Sequence, residues 1–221
     1  MRTVVEVEIW SDVVCPWCYI GKRRFERAVD AVADDIDVRM VYRPYQLDPT
    51  ASPGVATPVV DAYAKKFGGP ERAAQIVEHL TSVAADEGLE FHMDRALRVN
   101  TLLAHRLLWL SEPLGVQLEL KEQLLQSYFI DGRDVGDLES LADIAASVGL
   151  DRDAVAAFLA STDGLDEVQA LVEHARNNDI TAVPTFVVSV EGSPQSWMIP
   201  GAQDTDVFVR ALRRLAARTD G

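Results

Sequence analysis

Cysteine is nearly absent: Cys15 and Cys18 are the only two in 221 residues. That excludes a scaffold stapled by several disulfides, and it leaves a zinc site built on Cys-x-x-Cys without its other half. The four histidines, His79, His92, His105 and His174, show no close ligand spacing that would replace it. Positive charge is also in deficit. Lys and Arg total 21 against 35 Asp and Glu, a formal charge of −14, so neither nucleic acid nor an anionic membrane surface is an expected partner. No apolar run approaches the roughly 18 to 20 residues of a membrane span, so no membrane association is expected. Near the start of the chain, Glu6 and Glu8 interrupt the stretch that a signal peptide would keep apolar. The expected location is therefore cytoplasmic, where a lone cysteine pair is more often catalytic than structural.

What is present is centred on Ser11-Asp12-Val13-Val14-Cys15-Pro16-Trp17-Cys18-Tyr19. Upstream, Val4, Val5, Val7, Ile9 and Trp10 alternate with glutamates as in a partly buried strand. Downstream, Phe25, Ala28, Val29 and Val32 recur at helical spacing. Cys15 thus falls where a strand ends and a helix begins. Unpaired backbone N–H groups and the positive end of the macrodipole favour an anion there. Lys22, Arg23, Arg24 and Arg27 add positive charge in the next turns. The expectation is a Cys15 thiolate with a pKa lowered from about 8.5 into the range of roughly 3.5 to 7.5 seen at reactive sites. Cys15 reads as nucleophile and Cys18 as resolving thiol, because three helical positions return the second sulfur to the first. Pro16 suits the first helical turn, where its missing N–H costs nothing. Trp17, between the cysteines, is expected at the surface and in contact with substrate. Two ordinary buried cysteines are the competing reading.

Along the chain, Ile36 to Tyr42 alternates as a second strand, and Ala51 to Pro58 reads as a linker. Helical periodicity then dominates to about Asn178. Punctuation divides it into Val59–Phe67, Glu71–Glu87, Thr101–Ser111 after Asn100, Leu118–Phe129, Leu138–Val148 after Asp137, Asp151–Ala160, and a last helix from Asp163 or Gly164 to Asn177. Strands return at 186–190 and 196–199. A final helix from Asp204 or Thr205 to about Arg218 buries Val207, Phe208, Ala211, Leu212 and Leu215. The fold class is α/β: one sheet domain, residues 1–50 and 179–221, interrupted by a helical insertion over 51–178. His105, among Leu102, Leu103, Leu107, Leu108 and Trp109, reads as a packed or hydrogen-bonded core residue. Asp12 is placed to oppose a thiolate by its charge. Phe91, Met93 and Leu97 read as core.

Far from the cysteines, Val183-Pro184-Thr185-Phe186 puts a proline at the first residue of a strand, and its X-Pro bond suits the cis isomer. Together with Cys-Pro-Trp-Cys-Tyr-Ile-Gly, Asn100-Thr101, Ala104-His105-Arg106-Leu107, Tyr128-Phe129, Asp131-Gly132-Arg133-Asp134 and Gly201-Ala202-Gln203, it resembles the DsbA-like, FrnE branch of the thioredoxin superfamily. The resemblance implies a thioredoxin fold with a large all-helical insertion, and a loop at Val183 and Pro184 that offers backbone to a bound thiol or peptide beside the sulfurs.

The expected activity is thiol–disulfide exchange of the disulfide oxidase or isomerase type. Its catalytic residues are Cys15 and Cys18, with Pro16, Trp17, Val183 and Pro184 in substrate binding. Expected partners are protein or small-molecule thiols and disulfides. No bound cofactor or metal is needed, and glutathione or another thiol resets the site. Two alternatives stand beside this. The related kappa-class glutathione transferases and 2-hydroxychromene-2-carboxylate isomerases resemble the same scaffold, but typically carry serine where this chain has Cys15. A binding module, chaperone or polyketide-pathway accessory protein would leave the cysteines incidental.

Overall fold

The computed structural model describes residues 2–217. Strand β1 (Thr3–Ser11) is central in a sheet of order β2-β1-β5-β6. It pairs parallel with β2 (Ile36–Pro44), Val5 opposite Val38, and antiparallel with β5 (Thr185–Val190), Val5 opposite Val190. The edge strand β6 (Ser196–Pro200) runs antiparallel to β5. The alternation in β1 decides what each face meets. Val5, Val7 and Ile9 join Phe25, Ala28 and Val32 of α1 (Pro16–Val32), Phe186 and Val188 of β5, and Phe208 and Leu212 of α9 (Thr205–Ala216) in one apolar core. Trp10 points to the opposite face and packs with Ala175 and Ile180, its ring stacked 5.8 Å from His174.

Between β2 and β5 the chain is mostly helical: α2 (Val59–Phe67), α3 (Pro70–Asp86), α4 (Leu102–Ser111), α5 (Gln117–Phe129), α6 (Leu138–Ser147), α7 (Arg152–Ala160) and α8 (Leu165–Asn177). Their ends follow local chemistry. The Asp137 and Asp151 carboxylates accept from Ser140 N and Ala154 N, each at 2.8 Å, and open α6 and α7 as capping aspartates do. Gly164, with φ of 71°, opens α8. Asn100 acts one position further out than expected: α4 begins at Leu102, whose N–H donates to Asn100 Oδ1 at 3.0 Å. The supposed linker ends in structure, because Thr57–Pro58 (β3) pairs with Leu97–Arg98 (β4). Two residues are too few to show a strand period, which is why periodicity could not find them. The expected end of the last helix at Arg218 lies outside the described residues.

A second apolar core holds Ala84, Leu107, Leu120, Leu124, Phe129 and Leu141 together with Val13 of the β1–α1 connection and Tyr19 and Ile20 of the first turns of α1. The helices therefore pack directly on the segment that carries the cysteines. Ion pairs pin them there. Glu122 of α5 meets Lys22, at 2.5 Å, and Arg23, while Glu87 after α3 meets Arg24 at 2.6 Å and Arg27. Among the described residues, no helix is long and apolar enough to cross a membrane.

Candidate active site

Cys15 is the N-cap of α1, with Pro16 in the first turn as its locked φ favours. Cys18 N donates to Cys15 O at 3.0 Å, closing the first turn and folding the second cysteine back over the first. Both are free thiols, and both are covered: Cys15 is 3% exposed and Cys18 2%. Cys15 Sγ points to the carbonyl of Val183 at 3.7 Å, and the Val183–Pro184 bond is cis. The Pro184 ring fills the space above Gly21, where a Cβ would lie 3.0 Å from Pro184 Cγ. Trp17 is 37% exposed, its ring 6.3 Å from that of His79 on α3. The pairing of the cysteines with the distant Val-Pro loop is thus realised, Trp17 lies at the surface as expected, and Pro16 is buried.

The electrostatics depart from the expectation for Cys15. The surroundings hold the Cys15 thiol up and favour any negative charge of the pair on Cys18. Cys15 acts as the hydrogen-bond donor to Cys18, it is desolvated, and it faces the Asp12 carboxylate, all of which push its thiol up; the helix-start N–H of Cys18 opposes them without prevailing. Burial also opposes charge on Cys18, but the Cys15 S–H, the ammonium of Lys121 and the Ser11 hydroxyl together bring it down. The basic residues of α1 do not help. Lys22, Arg23, Arg24 and Arg27 are turned to Glu26, Glu122 and Glu87. The cation that acts on the sulfurs comes from α5.

Asp12 is fully buried and serves as a three-way acceptor. Val13 N donates to Oδ1 at 2.8 Å, Leu47 N donates to Oδ2 at 2.7 Å, and His105 Nε2 lies 3.0 Å from Oδ1. Burial works against the carboxylate, but the His105 contact, the Leu47 N–H and the charge of Lys121 outweigh it and hold its pKa below the usual value. The same His105 nitrogen is 3.1 Å from Tyr45 O, so the ring ties the β1–α1 and post-β2 segments to α4. His105 is a hydrogen-bonded core residue that reaches the cysteines through Asp12. Phe91 and Met93 are core, while Leu97 is half-buried.

A cleft of about 660 Å³ opens next to Val14, the residue before Cys15. Leu47, Val59, Tyr63, Val99 and Tyr128 wall it, and Lys65, Lys66, Arg98, Asp48 and Asp61 line its polar side. Burial first, and then the electrostatic influence of the Cys15 sulfur, push the Tyr63 phenol up to about 12. Pro16, Trp17, Val183 and Pro184 do not line this cleft. Among the described residues, no group of three or more His, Cys, Asp or Glu is arranged to hold a metal ion. The residues that sequence reasoning missed are Ser11, Tyr63, Lys121 and Glu122. Only Lys121 left a signal, as a lysine at i with Leu124, Leu125 and Tyr128 at i+3, i+4 and i+7 on an apolar face.

A strand, a dithiol at the start of the following helix, and a cis-proline loop entering an antiparallel strand beside the sulfurs define a thioredoxin-type fold and site. The chain belongs to the DSBA-like thioredoxin domain family, whose model matches residues 6–213. It is 35% identical to a probable DsbA oxidoreductase, SCO1869 of Streptomyces coelicolor, with a TM-score of 0.86 over 96% of this chain and 90% of that one. It is 29% identical to the uncharacterized protein YwbO of Bacillus subtilis over 210 residues, which is 94% of this chain and 96% of that protein. The fold also matches the cytosolic disulfide reductase DsbM of Pseudomonas aeruginosa solved with glutathione, at a TM-score of 0.60 and 16% identity, over 97% of each chain.

Proposed function

We propose that this protein is a cytoplasmic disulfide oxidase or isomerase that works through the Cys15–Cys18 pair. The observation that carries the reading is the placement of two reduced sulfurs at a helix start, with Cys15 Sγ 3.7 Å from the Val183 carbonyl of the proline loop. Cys15 faces that loop at the N-cap of α1, whereas Cys18 lies one turn further into the helix, so an incoming disulfide meets Cys15 first. As Cys15 attacks, its proton passes to Cys18, the sulfur on which negative charge is favoured. One substrate sulfur leaves as a thiolate, and Cys18 then displaces the other from Cys15, leaving the protein oxidised and the substrate reduced. In the opposite direction, a substrate thiolate attacks Cys15 of the oxidised protein and Cys18 departs. Backbone at Val183 and Pro184 holds the substrate in extended form, Trp17 contacts it, and the helical insertion over 51–178 covers the pair.

The site needs no bound cofactor, and a small thiol such as glutathione resets it. A specific feature favours that partner: the cleft beside Val14 combines apolar walls with Lys65 and Lys66, which suit the carboxylates of a small thiol.

The test is equilibration of the pair against glutathione redox buffers, followed by tryptophan fluorescence, with Cys15→Ala and Cys18→Ala as references. A potential between about −120 and −200 mV supports an oxidase or isomerase, and a value near −270 mV assigns a reductase instead. Absence of a reversible disulfide removes the redox reading.

A further inference from the structure

Thiol–disulfide exchange through Cys15 and Cys18 leaves one nearby buried group without a role. Lys121 of α5 is fully buried, and among the described residues its Nζ has no hydrogen-bond partner. The other buried cations are satisfied. Lys22 is held between Glu26 and Glu122, and Arg106 donates to the carbonyls of Phe158, Leu159, Ser161 and Asp163. An unpartnered ammonium in an apolar interior is costly to maintain, so its surroundings are informative. Its Nζ stands 5.2 Å from the centre of the Tyr42 ring of β2. The charges acting on it are those of Cys18 first, then Asp12, then Cys15, all from the β1–α1 connection and helix start, with Lys22 of α1 opposing them.

We propose that Lys121 is a positioning residue that serves Cys18: its amine accepts the Cys18 proton during resolution, and its ammonium holds the Cys18 thiolate when the disulfide opens. The inference rests on the redox reading of the Cys15–Cys18 pair. In the mixed disulfide, the Cys18 S–H proton moves to the Lys121 amine. The Cys18 sulfur attacks Cys15 Sγ, the Cys15–Cys18 bond forms, and the bond from Cys15 to the substrate sulfur breaks. The substrate leaves as a thiolate with that electron pair, so the dithiol loses two electrons and the substrate disulfide has gained them. Because Nζ lies outside hydrogen-bond range of any partner, the proton travels through a bridging water or after a turn of the lysine stem.

The titration of Lys121 is consistent with this cycle. Burial pushes its ammonium down to about 8, while Cys18, Asp12 and Cys15 pull it up and Lys22 pushes it down again. Tyr42 stays neutral, since burial raises its phenol far above the ordinary value. When Cys15 enters the mixed disulfide and Cys18 takes up a proton, the negative charge of the dithiol that held the ammonium is gone. Lys121 then releases its own proton to water, and the amine left behind is the base that the resolving step needs.

The decisive experiment uses dithiobis(nitrobenzoate), whose two chromophoric thiolates are released in succession: the first by attack of Cys15, the second by resolution through Cys18. Cys18→Ala fixes the assignment by losing the second release. Lys121→Met, which keeps length and apolar volume, is expected to slow the second release at least tenfold relative to the first and to remove its ionisation near pH 8. Lys121→Arg supplies a cation that does not give up its proton. It is expected to retain the ultraviolet thiolate absorbance of the dithiol while resolution stays slow. A Lys121→Met or Lys121→Arg protein that resolves at the wild-type rate with the wild-type pH profile overturns the proposal and leaves the redox reading standing. A wild-type protein that gives no second release overturns that reading itself.

Discussion

Replacing Asp12 by alanine acts on the fold and on the chemistry in opposite directions. The carboxylate is fully buried, accepts from Val13 N and Leu47 N and contacts His105. Alanine leaves the backbone N–H groups of Val13 and Leu47 without their acceptor and His105 with the Tyr45 carbonyl alone. Removing one member of such a buried, hydrogen-bonded pair costs about 3–5 kcal/mol. For a chain of this size each kcal/mol is worth roughly 2–4 °C, so the thermal midpoint is expected to fall by roughly 6–20 °C. Asp12→Asn keeps the volume and one acceptor oxygen and is expected to cost about 1–3 kcal/mol, since an amide donor now faces an N–H. Its chemical effect is the reverse of its structural one. The lost negative charge no longer raises the Cys15 thiol, so iodoacetamide is expected to modify Cys15 severalfold faster at pH 7. The pH dependence follows from the depressed folded value. Asp12 contributes stability above its unfolded pKa near 3.9, and that contribution is lost as pH falls through the lower folded value. Urea unfolding and timed alkylation measure both effects. An Asp12→Ala protein with an unchanged urea midpoint, or an Asp12→Asn protein whose Cys15 reacts no faster, refutes the assignment.

Three further outcomes follow from other contacts. Lys121→Met is expected to raise the urea midpoint at pH 7 by about 1–3 kcal/mol of stability, because it removes a buried charge. That advantage should fade as pH rises from the folded value of about 8 towards the unfolded one near 10.4, where the wild-type penalty disappears. Glu122→Gln weakens the attachment of α5 to α1. Burial opposes the carboxylate, but Arg23, Lys22 and Tyr19 bring it down to about 2; partial exposure screens the gain to about 1 kcal/mol, lost below the unfolded value near 4.3. Hydrogen exchange should quicken first in α5. Gly21→Ala places a Cβ 3.0 Å from Pro184 Cγ and 3.3 Å from Ala202 Cβ, and is expected to cost about 1–3 kcal/mol while displacing the proline loop from Cys15, measurable as a changed glutathione equilibrium.

Much of the fold is legible in the sequence because its signals are local. Asp137 and Asp151 cap the helices they precede, Gly164 opens α8, and the valines of β1 alternate as a strand with one core face should. β3 and β4 escaped because a two-residue ladder has no period to read. The site was legible only as a pair of motifs. Cys15 and Val183 could be matched because each carries a strong pattern of its own, whereas the Asp12–His105 contact joins residues with no shared pattern.

By itself, the sequence determined the strand–dithiol–helix order, the proline at the mouth of β5 and the helical character of the segment between the sheet halves. Each depends on spacing between near neighbours, and spacing is written in the chain. Only the tertiary structure decided which cation acts on the sulfurs. The nearest basic residues in sequence, Lys22, Arg23, Arg24 and Arg27, are drawn to carboxylates, while Lys121, more than a hundred positions from Cys18, is buried within electrostatic reach of it. Coulomb interactions depend on distance and on the surrounding dielectric, and both are set by how helices pack rather than by how residues are numbered.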